Sequence, residues 1–325
     1  MDRTSFDAGA HVECAVFLGT LPVLALADGR IVTPDGAEEP ALLSRHGEAI
    51  LAAVPTRDGA ALLTSGEDGA VMRHDAAGEA ETLARRKGKW IDALAAGNDG
   101  AVAFVAGRET LILLKGREKA IATSRAPAGL AFAPKGQRLA LALVDVVELH
   151  WVGTDAPPQR LDWKGAHLGV TFSPDGRYVI STMQEMALHG WRLADGHHMR
   201  MTGYPAKVRS MAFTAKGKWL ATSGADAAIL WPFLTKDGPS GKAPKQLGVL
   251  PALVTRVAPH PSEEAVALGY QDGRVILVRI EDEAEVPLAP DGGGAVSALA
   301  WDKTGQSLLV GRESGRCDLI RIGRG

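Results

Sequence analysis

A chain of 325 residues with 46% hydrophobic and 23% charged residues has ample apolar material for a core, and its length fits one large domain or two ordinary ones. A net charge of −2 argues against a globally basic nucleic-acid binder, although a local basic patch is compatible with it. Two cysteines, Cys14 and Cys317, near opposite ends of the chain make neither a disulfide framework nor a CxxC metal pair, and both are expected to be buried free thiols.

The apolar stretch from Cys14 to Ala27 follows Asp2 and Asp7, with only Arg3 as a cation, and is broken by Gly19, Thr20 and Pro22. A signal peptide needs a basic start and an unbroken apolar core, so this stretch reads as two strands. No other run reaches the roughly 18 apolar residues of a membrane span. The expectation is a cytoplasmic protein with no membrane partner.

Taken in order, the chain falls into short apolar runs bounded by Gly, Pro and Asp, which are strand signals. The first unit has runs Cys14–Leu18, Pro22–Ala27 and Arg30–Thr33, and the second Ile50–Val54, Ala60–Thr64 and Val71–His74. The third has Trp90–Ala95, Ala101–Val105 and Thr110–Leu114. Aspartyl-glycine pairs at Asp28-Gly29, Asp58-Gly59, Asp68-Gly69 and Asp99-Gly100 suit tight hairpins, because glycine accepts positive φ at little steric cost. The seventh unit has Leu253–Ala258, Ala265–Gly269 and Arg274–Ile280, and the eighth Val296–Trp301, Ser307–Val310 and Cys317–Ile322. More polar runs between units, such as Glu81–Ala84 and Lys119–Thr123, suit outer strands, and no stretch sustains a helical period. Gly238 to Lys245 reads as a loop between the third and fourth strands of the sixth unit.

The fourth to sixth units, between Gly129 and Trp231, repeat almost in register. Gly129-Leu-Ala-Phe132-Ala-Pro-Lys-Gly136, Gly169-Val-Thr-Phe172-Ser-Pro-Asp-Gly176 and Ser210-Met-Ala-Phe213-Thr-Ala-Lys-Gly217 place phenylalanines 40 and 41 residues apart, and Trp151, Trp191 and Trp231 follow at spacings of 40 and 40. A period near 40 with glycine turns is a propeller signature. These residues resemble the WD40 repeat family, most closely at Val170 to Ser181. The resemblance implies an all-β, eight-bladed β-propeller of four-stranded antiparallel blades, with seven blades plus an irregular remainder as the alternative. The reading is one domain over residues 1–325 whose ring is closed by the N-terminal residues: the eighth unit ends at Ile322 without an outer strand, and Arg3 to Ala8 are free to supply one, packing Phe6 against that unit. Trp151, Trp191 and Trp231 are expected in the core. The family often links a His, a Ser or Thr, an Asp and a Trp within a blade, and here that set is incomplete. Unit two offers His46, Ser65 and Asp68 without a tryptophan, unit five His167 and Trp191, and unit six Ser223, Asp226 and Trp231 with Tyr204 near the histidine position.

Signals for chemistry are weak. The inner strands offer mainly Ala, Val, Leu and Met, with Asp92, Arg209 and Arg256 as exceptions. His197 and His198 are adjacent and on a strand would point to opposite faces, while His150 and His189 read as exposed strand positions. No G-x-S-x-G elbow or phosphate-binding P-loop occurs. No catalytic residue, metal or cofactor is therefore expected. The resemblance implies a non-catalytic scaffold that binds a protein or peptide through one face of the disc. A propeller enzyme such as a lactonase-like hydrolase, or an RNA or nucleotide binder using a basic face, are the alternatives. In this family the linkers between blades share a face with the turns between second and third strands. The linkers carry many cations, densest at Arg85-Arg86-Lys87-Gly88-Lys89-Trp90, which joins four cations to an aromatic of the kind favoured at binding hot spots. The candidate partner-binding residues are Arg85, Arg86, Lys89, Trp90, Arg125 and Arg209.

Overall fold

A computed structural model describes residues 1–36 and 38–323, and among them every regular element is a strand except one short 3-10 turn at Asn98–Gly100. The strands pair antiparallel in sequence order. Six sheets have four strands and one has seven. The seven-stranded sheet is two blades joined by one long strand, Gln159–Phe172. Residues 159–166 of that strand pair with Val144–Trp151, whereas 167–172 pair with Tyr178–Met183. The described residues thus form eight groups of four, spanning 12–45, 50–85, 94–122, 129–166, 167–201, 211–247, 254–289 and 296–321. The last group takes its outer strand from Asp2–Asp7, which pairs with Arg316–Arg321 and sets Phe6 opposite Cys317.

The second strand of a blade has neighbouring blades over both faces, and its sequence reflects that. Ala61–Gly66, Val102–Ala106, Tyr178–Met183 and Ala265–Tyr270 are buried at every residue, so they are continuous apolar or small runs without alternation. Apolar side chains between blades fill discrete clusters, one per junction, instead of a single central core. Phe6 packs with Val12, Phe17, Leu309 and Cys317 where the last blade meets the first, and the Ser297 hydroxyl donates to the Val12 carbonyl at 2.7 Å across the same seam. Cys14 and Cys317 are both free, and burial pushes each thiol up to about 12.

The polar set inside the blades differs from expectation by one residue. In the second blade His46 Nδ1 lies 2.7 Å from the Thr64 hydroxyl, Thr64 lies 2.9 Å from His74 Nε2, and Ser44 completes the row at 2.8 Å from His74 Nδ1. Thr64 replaces the expected Ser65, and His74 stands on the third strand where a tryptophan was missing. In the sixth blade Trp231 Nε1 donates to the Tyr204 hydroxyl at 2.6 Å, and Tyr204 meets Thr222, not Ser223, at 2.7 Å. Adjacent strand residues face opposite sides, so one position separates the network from the neighbouring face.

Two further expectations are corrected. Trp191 and Trp231 are 2% and 7% exposed, but Trp151 is 45% exposed with the Arg138 guanidinium 5.1 Å from its ring. His189 is 0% exposed, stacked 3.9 Å from Trp163 and edge-on to Trp191 at 4.7 Å. It is a core aromatic, and burial lowers its pKa to about 3.

Candidate functional site

Antiparallel order fixes which connections share a face. A first strand running down the axis, a second returning and a third and fourth repeating the pair bring blade-to-blade linkers and second-to-third-strand turns to one side of the disc. Turns between first and second strands lie on the other.

The linker from the second to the third blade leaves Ala80–Arg85 and reaches Leu94–Ala96. Its backbone is bonded at both ends to the turn of the second blade. The Arg86 N–H donates to the Gly69 carbonyl at 2.7 Å, and the Ile91 N–H to the Gly66 carbonyl at 3.1 Å. Between them the Lys89 N–H donates to the Arg86 carbonyl at 3.0 Å, closing a turn. Gly69 permits this contact, since a Cβ there would sit 2.1 Å from the Arg86 carbonyl oxygen. Ser65 adds a 2.9 Å hydrogen bond to the Ile91 carbonyl, and Ile91 is fully buried. With its flank thus fixed, Trp90 is held 68% exposed.

The cations of this turn are not equivalent. Arg85 Nη1 donates to Asp68 Oδ2 at 3.0 Å, and Arg86 pairs with Glu118 of the third blade. Burial opposes the charge on Asp68, but the Ala70 N–H, His46 and Arg85 outweigh it and hold its carboxyl below the usual range. Lys87 and Lys89 are exposed and make no ion pair within 4.0 Å among the described residues. Arg125 is exposed in the next linker, whose Thr123 hydroxyl donates to the Arg125 carbonyl at 2.7 Å. Arg209 is exposed in the linker into the sixth blade, where the Ser223 hydroxyl accepts its N–H at 3.2 Å.

At the channel, Arg256 on the first strand of the seventh blade donates through Nε to the Ser297 carbonyl at 2.6 Å and through Nη1 to the Thr255 carbonyl at 3.0 Å. Burial, then repulsion from Arg209, lowers its pKa, and burial raises that of Glu13 against the pull of His11 and Arg256. No group of three His, Cys, Asp or Glu side chains among the described residues could hold a metal ion, and no described helix is long and apolar enough to cross a membrane.

The family described as WD domain, G-beta repeat matches residues 196–230, from the outer strand of the fifth blade to the third strand of the sixth. The anaphase-promoting complex subunit 4 WD40 domain matches residues 257–325. Telomerase protein component 1 of Mus musculus is 28% identical over 151 residues, which is 46% of this chain and 6% of that protein. The chain is similar to the WD40 repeat family over the two family-matched stretches. Across the whole length, the crystal structure of the computationally designed Ika8 protein shares the fold at a TM-score of 0.79, covering 97% of this chain and 98% of its own at 18% identity. WD40 domains generally serve as protein-interaction scaffolds and are typically non-catalytic.

In this propeller Arg85, Arg86, Lys89 and Trp90 share one turn, Arg125 lies one junction further on, and Arg209 lies three junctions away, near enough to Arg256 to repel its charge. The first four form one cluster and Arg209 belongs to another. Sequence reading missed three exposed apolar side chains, Val144, Met186 and Val249, in or beside the turns and linkers of the same side. Met186 has a φ of 54°, a conformation uncommon for a bulky residue.

Proposed function

We propose that this propeller is a non-catalytic scaffold that docks a protein partner on the linker face, with Arg85, Arg86, Lys89 and Trp90 as the central cluster and Arg125 and Arg209 as outlying contacts. The observation that carries the reading is Trp90, 68% exposed on a turn whose backbone is pinned at both ends. A rigid, exposed aromatic beside unpaired lysines loses little side-chain freedom on binding and gains much buried area. Loop cations add little to folding, so the cluster is free to serve recognition.

The test uses affinity capture followed by mass spectrometry with the parent chain, then with Arg85→Glu, Arg86→Glu and Lys89→Glu combined. Charge reversal should slow encounter, and Trp90→Ala should speed release, each weakening capture of the main partner by about tenfold or more. Equal capture by parent and both variants moves the binding surface elsewhere on the disc.

A further inference from the structure

On the face opposite the linkers, two neighbouring turns are pulled apart. In the second blade the turn after Ile50–Pro55 is tied away from the third blade. The Gly59 carbonyl accepts from the Gly19 N–H at 3.3 Å, and the Asp58 carbonyl from Lys303 Nζ at 3.2 Å. In the third blade the first strand is only Leu94–Ala96, and its turn is tied toward the fourth blade. Asn98 Nδ2 donates to the Pro134 carbonyl at 3.3 Å, and Gly97 lies so close to Phe132 that a Cβ would sit 2.8 Å from the ring. Between the diverging turns lies a groove of about 740 Å3.

Its floor is apolar, from Leu63, Leu83 and Val102, and its rim carries Arg57 and Arg73. Neither arginine has an ion-pair partner within 4.0 Å among the described residues, unlike Arg85 and Arg86 on the linker face. The nearby Asp58 carboxylate is already engaged, accepting the Thr56 hydroxyl at 2.7 Å and the Ala60 N–H at 3.0 Å. Asp99, exposed in the opposite turn, is the other carboxylate of the groove. Arg73 feels the Asp58 charge only from beyond 4.0 Å. Two guanidiniums without an ion pair over an aliphatic floor match a carboxylate next to an aliphatic side chain, because guanidinium binds carboxylate through paired N–H donors.

We propose that this groove is a second docking site, which takes an extended acidic peptide from a partner protein. The peptide rests an aliphatic side chain on Leu63, Leu83 and Val102 and presents a carboxylate to Arg57 and Arg73. The site stands on the far face and does not depend on the linker-face reading.

The test is fluorescence polarisation of the full chain with fluorescein-labelled Asp-Leu-Asp-Leu-Asp, against Lys-Leu-Lys-Leu-Lys and Asp-Ser-Asp-Ser-Asp. Saturable binding of the first peptide alone is expected. Combined Arg57→Glu and Arg73→Glu should weaken it by about tenfold or more, and Asp99→Asn, which removes the opposing charge, should tighten it by about twofold. Lys216→Glu, exposed on a distant turn of the same face, should leave it unchanged. Melting curves check that the variants fold, and Arg57→Gln with Arg73→Gln replaces the double reversal if that pair unfolds the chain. No saturable binding, equal binding of the lysine or serine peptide, or no loss in the arginine variants overturns the proposal.

Discussion

The junction between the fifth and sixth blades and the junction between the second and third are built on the same plan with opposite results. At the former, Tyr178, Tyr204, Trp231 and Phe233 join Met199 and Met201 in one buried cluster. Tyr178 and Phe213 each meet Phe233 edge-on, at 5.1 and 5.0 Å, and Trp231 is hydrogen-bonded to Tyr204. At the latter, Phe104 is the sole aromatic of the buried cluster, and His74 occupies the third-strand place of a tryptophan. The near tryptophan in sequence, Trp90, is on the linker and exposed. Both junctions keep a groove on the face opposite the linkers, about 640 Å3 at the former and about 740 Å3 at the latter. The two grooves differ in charge. Arg177 and Arg192 at the former are paired with Asp175, Asp195 and Asp237, whereas Arg57 and Arg73 at the latter have no ion-pair partner within 4.0 Å among the described residues. Aromatic packing thus changes what lies beneath the groove, and the carboxylates at its rim change what the groove can bind.

The comparison can be broken first at its tight end. Trp231→Ala removes a buried ring and its hydrogen bond, and should cost about 3–5 kcal/mol in denaturant unfolding, as large core truncations do. Trp151→Ala, one residue beyond the equivalent position, which His150 fills, and 45% exposed, should cost under about 1 kcal/mol. Similar losses for the two would mean that burial does not set the contribution.

A smaller effect is expected from Tyr204→Phe. The ring stays, but the Trp231 indole N–H loses its acceptor at 2.6 Å and Thr222 loses a partner at 2.7 Å. Leaving a buried donor unmade costs about 1–3 kcal/mol. An unchanged unfolding midpoint would show that the hydroxyl is not needed to tie this blade.

The smallest effect separates two buried third-strand histidines, His74 and His189. His74 and His189 are held neutral when folded, with values lowered from 6.5 to about 4 and about 3 by burial. The unfolded chain takes up protons below pH 6.5 that the folded chain cannot, so stability is full above 6.5 and falls progressively toward pH 4 and below. His189 has neither ring nitrogen hydrogen-bonded, whereas His74 is bonded to Ser44 and Thr64. His189→Phe should therefore flatten the acid limb of a melting-temperature profile without loss at neutral pH. His74→Phe should flatten it too, but lower stability throughout by stranding two hydroxyls.

Much of the fold was legible in the chain. The repeats around Phe132, Phe172 and Phe213 and the glycine turns name strands, their order and their number, because a strand's period of two and a turn's positive φ are local properties. Legibility fails at single-residue register. Ser65 and Ser223 were the plausible network members, but Thr64 and Thr222 face the histidine and the tyrosine, since a shift of one flips the side chain to the other sheet face. It fails again at Trp151 and His189, whose exposures are the reverse of the expectation.

The sequence by itself determined the elements and their repetition, through backbone preferences that need no distant partner. Only the tertiary structure decided which aromatics are covered, which cations are left without a carboxylate, and that the turns of the second and third blades lean apart. Those outcomes depend on contacts between residues far apart in the chain, such as Gly19 with Gly59 and Asn98 with Pro134. No local pattern encodes the direction in which a neighbouring blade will pull.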